Sequence, residues 1–324
     1  MNSEFFNDME QTQPKCCIAI LTDAFKPDRP GYLERTVDAL IANTWLPSNQ
    51  VAVQIFCDGF NNKIIQAIKS CVDKMVAKDI NVLDTVFSNG RMGCGAMVNI
   101  VWEQTRHFKY TLFLEGDWLL MNDTPDTWLF DMLEFMDKNQ EVDTIWLRKY
   151  LSQMEMRQYC VFNILLNPNN YLGQCSINGM PARVCTNQIY SNNPHLRRNH
   201  SYEDVLPLDV DAENPDTPDS ANWSNPEISA EARLHSKLVI YPNNGLFAHA
   251  EFVDRDCNGN AQVVSCKYSM KQCKLGYCSL NHDWCPYCMG DDNKSAYRSE
   301  EEFLEYIKIK EANERERDND TQSE

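Results

Sequence analysis

Two carboxylates one residue apart, Glu115 and Asp117, follow the apolar segment 110–114 and are the residues best suited to chemistry. The segment has the composition of a buried strand, and open α/β sheets bind ligands outside the carboxyl ends of their strands. Carboxylate oxygens are hard ligands that suit Mg²⁺ or Mn²⁺, and such an ion can in turn hold a diphosphate. Carboxylates after a strand can also form turns or cap helices. Here, two charges at the end of an apolar strand are costly unless a cation compensates them, so we expect a metal or nucleotide site.

A polar loop rich in glycine, residues 89–95, precedes this strand by one helix. Arg91 lies between Gly90 and Gly93, and the loop leads into the predicted helix. A helix amino terminus and a guanidinium can both bind phosphate, and glycines allow a ligand to approach the backbone closely. Arg91 is therefore a candidate phosphate ligand, with an ordinary surface arginine as the alternative.

The elements that would position these residues alternate along the chain. Apolar runs predict strands at 16–21, 50–57, 82–87, 110–114 and 144–147, and helical spacing predicts helices at 32–43, 62–78, 97–107 and 127–138. This alternation predicts an α/β fold with a doubly wound, mostly parallel sheet. Beyond residue 150 the pattern loosens into a loop or lid at 209–226, a helix at 225–237, a strand at 238–241 and a charged helix at 299–316.

Composition excludes several classes of function. The chain has 324 residues and a formal net charge of −17, which argues against nucleic-acid binding. No apolar run approaches the roughly 20 residues that span a bilayer, and the polar amino terminus lacks the features of a secretion signal. We therefore expect a cytoplasmic protein without a membrane span, whose 14 cysteines lie in a reducing compartment.

The order of these parts resembles a GT-A nucleotide-sugar glycosyltransferase, most closely the family 2 type. The resemblance rests on four strings: Leu21-Thr22-Asp23, Phe56-Cys57-Asp58-Gly59, Asn89-Gly90-Arg91-Met92-Gly93 before a helix with Asn99, and Leu112-Phe113-Leu114-Glu115-Gly116-Asp117. It is firm over residues 16–150 and looser over 186–250. Segments 190–195 and 225–228 resemble glycosyltransferases encoded by large DNA viruses, which would place the protein in host cytoplasm or virion. One departure is Glu115, where the family's metal motif has Asp.

The resemblance implies a GT-A-like, Rossmann-like sheet flanked by helices. The matching parts place the transferase domain at 16–255, with a nucleotide-sugar half to 150 and an acceptor half from 151. From composition we expect a disordered amino terminus (1–15), a Cys/His-rich appendage (256–298) and a charged tail (299–324) that is helical or disordered. The implied activity is metal-dependent transfer of a sugar, with inversion, from a nucleotide-diphosphate donor to a hydroxyl of a glycan or protein. A UDP-sugar is the favoured donor, and Mn²⁺ or Mg²⁺ the cofactor.

The resemblance also assigns roles to individual residues. Asp58 would hold the base or ribose, while Thr22 and Asp23 would border the same pocket; a turn-forming Asp and simple loop polarity are the alternatives. His249 would join Glu115 and Asp117 as a third metal ligand, although a lone histidine is often structural.

Two further roles concern His195 and Asp117. His195 is a rival for the metal-ligating histidine. Asp117 is also a candidate catalytic residue, because the metal it holds would stabilise the leaving diphosphate.

An inverting transfer also needs a general base to deprotonate the acceptor hydroxyl. Glu227, in the first turn of a predicted helix, is our candidate, and Glu203, Asp204 and Glu231 compete with it. Glu227 could equally be a helix-capping acid without a catalytic role.

A cluster of cysteines and one histidine lies near the carboxyl end and raises a separate question. Its members are Cys257, Cys266, Cys273, Cys278, His282, Cys285 and Cys288. A structural zinc held by Cys273, Cys278, Cys285 and Cys288 would stabilise a segment too short to form its own core. Disulfides or reduced thiols are the alternatives, since the spacing matches no standard zinc finger closely.

Two other functions stay open. A nucleotidyltransferase or sugar-nucleotide enzyme would use a similar sheet with a basic loop after its first strand. Here that loop holds Lys26 and Arg29 but also two prolines and an acid, which makes it a poor phosphate cradle. The other alternative is a non-enzymatic, zinc-stapled interaction protein on a degenerate transferase scaffold.

Overall fold

A computed structural model describes residues 14–121, 124–148, 171–186, 193–210, 230, 233–234, 237–242, 245–250, 253–255 and 261–263. Apart from Tyr171, these residues belong to one compact unit that comprises 1–149 and 172–263. In this part of the chain, no helix combines the length and the apolar character that a membrane crossing requires.

The elements alternate in the amino-terminal half as the sequence predicts. The helices are α1 (Arg29–Asn43), α2 (Asn62–Val76), α3 (Cys94–Thr105) and α4 (Trp128–Lys138). The first strands are β1 (Cys16–Asp23), β2 (Val51–Asp58), β3 (Asn81–Val82), β4 (Val86–Phe87), β5 (Tyr110–Glu115), β6 (Trp118–Leu120) and β7 (Val142–Trp146). The later strands are β8 (Tyr171–Ile177), β9 (Met180–Thr186), β10 (His195–Arg198), β11 (Leu238–Pro242), β12 (Phe247–His249), β13 (Val253–Arg255) and β14 (Ala261–Val263).

The main sheet has the strand order β3-β2-β1-β5-β10-β7-β11-β9-β8, with β4 also paired to β2. Strands β2, β1 and β5 are parallel, so their carboxyl ends meet at one edge. Strand β10 enters between β5 and β7 and is antiparallel to both, and β9 is antiparallel to β11. The sheet is therefore mixed, with the predicted parallel order kept in the half that precedes β10.

The two faces of the sheet bury two apolar clusters. Strand β1 is buried along nearly its whole length; Ile18 and Ile20 face a cluster that includes α1, α2 and α4, while Ala19 and Leu21 face α3. This alternation follows from the two-residue period of a strand. Burying each such aliphatic side chain contributes about 1.5–3 kcal/mol, which makes β1 a rigid base for the residues at its end.

Strand β10 carries two buried arginines into the middle of the sheet. The guanidinium of Arg198 donates hydrogen bonds to the carbonyls of Met136, Asn139 and Val142 and to Tyr110 Oη. It thereby satisfies carbonyls at and just after the end of α4, which otherwise lack intrahelical donors. The strand was not predicted, because two adjacent arginines are uncommon in a central strand unless the fold supplies such acceptors.

A second, two-stranded sheet joins distant parts of the chain. Strands β6 and β12 pair antiparallel, with His249 opposite Trp118. The backbone N–H of Ala250 also donates to the Asp117 carbonyl at 2.7 Å. This pairing fixes the segment around residue 249 directly beside the end of β5.

Most predicted elements are confirmed, with shifts of a few residues at their ends. One prediction is wrong in detail: the single strand at 82–87 is two short strands, β3 and β4. Between them, Gln54 Nε2 donates to the Asp84 carbonyl, so this segment interacts with a β2 side chain instead of continuing the ladder. Most of the predicted lid and of the helix at 225–237 lie outside the described residues, as do most of the strings that resemble viral transferases, the Cys/His-rich segment and the charged tail.

Candidate functional site

A cleft opens at the edge where β1, β2 and β5 end. Its wall is formed by these strand ends, by the two loops that follow β1 and β4, and by the amino-terminal ends of α1 and α3. Seven polar or charged side chains line it: Thr22, Asp23, Lys26, Arg29, Asp58, Arg91 and Glu115. All the residues predicted to bind the nucleotide are thus brought to one cleft.

Asp58 joins the end of β2 to the loop that carries Arg91. Its side chain is 7% exposed; Oδ1 accepts hydrogen bonds from the Met92 N–H at 2.8 Å and Ser88 Oγ at 2.9 Å, and Oδ2 accepts one from the Gly93 N–H at 3.0 Å. A carboxylate offers about four acceptor positions, so these three donors leave little capacity for a ligand. Asp58 therefore shapes the nucleotide side of the cleft by ordering this loop.

Arg91 projects from the ordered loop toward the opposite wall. Its guanidinium lies 5.5 Å from the ring centroid of Phe25, which is half exposed in the loop after β1. A cation over an aromatic face is attracted by the ring quadrupole, so the pair holds two flexible groups near each other at the cleft. The loop can turn in this way because Gly93 has φ +87°, a left-handed conformation that favours glycine, just before α3 begins.

Asp23 closes the end of β1 with a local turn. Its Oδ1 accepts hydrogen bonds from the backbone N–H groups of Phe25 and Lys26, at 2.9 and 3.1 Å. Its Oδ2 lies 2.9 Å from Nε of Arg29. Next to it, Thr22 is buried against Gly116, where an added Cβ would lie 3.3 Å from Thr22 Oγ1. This close approach brings the 115–117 turn against β1.

Asp117 is the most deeply buried carboxylate of the site, with 5% of its side chain exposed. Its Oδ2 lies 3.3 Å from His249 Nε2 and also accepts a hydrogen bond from Arg29 Nη1. Among the described residues, Oδ1 of Asp117 has no hydrogen-bond partner. Burying a carboxylate oxygen without a partner is costly, so this atom is suited to accept a hydrogen bond or to bind a cation.

The surroundings of Asp117 favour its charged form. Burial alone would raise the pKa of this carboxyl group. The hydrogen bond from His249 and its charge when protonated, together with the Arg29 guanidinium, outweigh burial and lower the pKa to about 2. Asp117 is therefore an anion throughout the neutral range.

Trp118 holds His249 in place. The two rings meet edge to face at a centroid distance of 5.1 Å, and the guanidinium of Arg148 lies 4.8 Å from the centroid of the Trp118 indole. An edge-to-face contact of this kind favours the observed orientation of the imidazole. The strand register and this packing together explain why a histidine 132 positions from Asp117 in sequence meets its carboxylate.

The site partly fits a divalent cation. Asp117 supplies a buried oxygen without a hydrogen-bond partner, and Glu115 lies half-buried at the cleft, where Cys94 Sγ is 3.9 Å from its Oε1. His249 Nε2, beside Asp117, would ligate an ion only in the unprotonated form that does not donate to Asp117. Within the described ranges, no three His, Cys, Asp or Glu side chains form a group that could hold a metal ion alone. An ion bound here would complete its coordination with water and ligand phosphates, as Mg²⁺ commonly does.

Other predicted residues lie elsewhere. His195 is buried in β10, stacked on Phe113 at 5.5 Å, with Nδ1 2.7 Å from the Asn193 carbonyl oxygen; burial lowers its pKa to about 3. It is a neutral core residue outside the cleft. Asp204 forms an exposed ion pair with Lys237 at 2.8 Å. Glu227, Glu231 and the proposed zinc ligands Cys273, Cys278, Cys285 and Cys288 lie outside the described residues.

Comparison with solved structures identifies the fold. A mannosyltransferase of Pyrobaculum calidifontis, solved with GDP-Man and Mn²⁺, matches with a TM-score of 0.51 at 11% identity, covering 74% of this chain and 57% of that one. S. aureus TarS with UDP matches with a TM-score of 0.46 at 14% identity, covering 72% of this chain and 60% of that one. GalNAc-T7 with UDP, GalNAc and Mn²⁺ matches with a TM-score of 0.46 at 11% identity, covering 73% of this chain and 44% of that one.

The mannosyltransferase match shows that the fold is of the GT-A type, which confirms the predicted fold class. This chain spans less than two thirds of each of these three proteins. No protein-family model matches the chain, and neither does any curated protein.

Sequence analysis missed the role of Arg29. In the sequence it is a basic residue of a loop that is poorly suited to phosphate, whereas in the structure its guanidinium contacts both Asp23 and Asp117. Its place at the first turn of α1, directly after the loop that follows β1, could have pointed to the strand ends.

Proposed function

We propose that this chain is a glycosyltransferase that moves a sugar from a nucleotide-diphosphate donor to an acceptor hydroxyl. The observation that carries the proposal is the pair Asp117 and His249, with its vacant buried oxygen, beside a cleft of the GT-A fold. Carboxylates that can hold a divalent cation, next to a loop that carries Arg91, suit the binding of a diphosphate, because Mg²⁺ is commonly held by one or two carboxylates together with ligand phosphates.

In this proposal the nucleoside lies between the end of β1 and the loop ordered by Asp58. Thr22 and Asp23 border it, Asp58 acts mainly through the loop, and Arg91 with Lys26 offers positive charge to the phosphates. A UDP-sugar remains the favoured donor, and a glycan or protein the acceptor. Asp117, Glu115 and His249 would hold Mn²⁺ or Mg²⁺, whose chemistry there is to neutralise the charge that develops on the departing diphosphate.

Inversion at the anomeric carbon belongs to the proposal through the family resemblance, with Glu227 as the base. The anomeric configuration of the product, read by proton NMR, tests the stereochemistry directly. A product that retains the donor's configuration would refute inversion and remove the need for an acceptor-side base.

The binding experiment is calorimetric titration of a panel of nucleotide sugars, with and without Mn²⁺, into three proteins. These are the wild type, Asp117→Asn and a matched control, Asp73→Asn, which makes the same change on the exposed face of α2. We expect one donor class to bind the wild type and the control with Mn²⁺ present, and to bind Asp117→Asn at least tenfold more weakly. His249→Gln provides a second variant if Asp117→Asn does not fold.

The chemical product separates the alternatives. A glycosyltransferase releases a nucleoside diphosphate, whereas a nucleotidyltransferase given a nucleoside triphosphate and a sugar phosphate releases pyrophosphate. Absence of donor binding in a folded wild type would refute the transferase proposal and favour the non-enzymatic scaffold.

A further inference from the structure

Arg29 already neutralises one oxygen of the Asp117 carboxylate. Its side chain is 16% exposed, Nη1 donates to Asp117 Oδ2, and Nε is 2.9 Å from Asp23 Oδ2. The negative charge of Glu115 also acts on this guanidinium. The single positive charge of Arg29 thus attracts the carboxylates that lie at the ends of β1 and β5.

A divalent cation on the same carboxylate would meet an unfavourable neighbour. Two positive charges a few ångströms apart in a partly buried site repel strongly, because little solvent screens them. Asp117 Oδ1 stays unpartnered while Oδ2 already accepts from Arg29 and lies beside His249. The carboxylate therefore offers a ligand atom to an incoming ion but already has a counter-ion.

We propose that Arg29 is the resident counter-ion of Asp117 and competes with a divalent cation for this carboxylate. Without a nucleotide, the ion binds weakly, since it must displace or tolerate the guanidinium. This competition depends only on residues of the described site.

A second step, which rests on the proposed function, explains how the competition ends. A donor diphosphate brings at least two negative charges into the cleft, and a guanidinium matches phosphate oxygens in a two-pronged geometry. Arg29 is also in the first turn of the 15-residue helix α1, where backbone N–H groups favour an anion. Arg29 then moves from Asp117 to the diphosphate, and Asp117 becomes available to the ion.

The test measures Mn²⁺ binding without nucleotide, from the electron paramagnetic resonance signal of free Mn²⁺. The variant is Arg29→Met, which keeps an unbranched apolar stem and removes the charge. We expect it to bind Mn²⁺ at least tenfold more tightly than the wild type, and the double variant with Asp117→Asn to lose this gain. Arg106→Met, at an exposed ion pair with Glu103, is the matched control and should leave Mn²⁺ affinity unchanged.

Equal or weaker Mn²⁺ binding by Arg29→Met, in a protein with wild-type circular dichroism, overturns the proposal. Arg29→Gln gives a second neutral side chain if the Met variant does not fold, and the same criterion applies to it. Tighter Mn²⁺ binding without any donor binding would support the competition while refuting the transferase proposal. Donor binding by the wild type, with an unchanged Mn²⁺ affinity in Arg29→Met, would support the transferase proposal and refute the competition.

Discussion

Replacing Asp58 with Asn tests how the cleft is built. Asp58 is almost fully buried and accepts hydrogen bonds from Met92 N–H, Gly93 N–H and Ser88 Oγ. Asn keeps one oxygen but turns the other into a donor, so at least one backbone N–H faces an NH₂ group instead of an acceptor. A hydrogen bond to a buried charge is worth about 1.5–3 kcal/mol, and an orphaned donor costs a similar amount.

We therefore expect Asp58→Asn to lower the free energy of unfolding by about 2–3 kcal/mol. Urea unfolding followed by circular dichroism measures this change. Hydrogen exchange measures it locally: the amides of Met92 and Gly93 should exchange at least about 30-fold faster, the factor that corresponds to about 2 kcal/mol. The affinity for the donor should fall as the loop loses this protection from exchange, because the same loop carries Arg91.

Asp84→Asn is the matched control, since it makes the same change at an exposed side chain just before β4. It should stay within about 0.5 kcal/mol of the wild type. If Asp58→Asn has the control's stability and exchange rates while losing donor affinity, Asp58 is a direct nucleotide ligand. Asp58 would then not be the anchor of this loop.

Three further predictions follow from the same contacts. Because the folded-state pKa of Asp117 is lowered to about 2 from 3.8, its contribution of about 2 kcal/mol is present above about pH 4 and lost as pH falls toward 2. The wild type should therefore lose about that much more stability than Asp117→Asn between pH 5 and pH 2 in urea titrations. Arg198→Met should lower the free energy of unfolding by about 3 kcal/mol, since it removes hydrogen-bond donors from buried carbonyls around the end of α4. Arg106→Met, at an exposed side chain, should change the free energy of unfolding by less than about 0.5 kcal/mol. Gly116→Ala should cost about 1–2 kcal/mol through crowding against Thr22, and thermal unfolding at neutral pH measures the loss.

Much of the fold was predictable because local periodicity carries it. Strands β1, β2 and β5 and helices α1 to α4 follow from apolar spacing, and their alternation predicts parallel strands whose carboxyl ends meet. Strand β10 was not predictable in this way. Its buried arginines contradict local preference, and only the acceptors around the end of α4 make Arg198 acceptable there.

The candidate site likewise has one part that was predictable from the sequence and one part that was not. The sequence by itself determined that Glu115, Asp117, Asp58 and the loop with Arg91 lie at one edge, since each follows a strand of the parallel half. It also marked His249, through the family resemblance. What the sequence did not determine is which charges neutralise each other.

Only the tertiary structure decided that Arg29 and His249 share the carboxylate of Asp117. The first contact depends on how α1 packs at the end of β1, and the second on the register between β6 and β12. Spacing along a chain constrains neighbours within a few residues, whereas pairing across 88 positions is set by the sheet order and by the high cost of burying a charge alone.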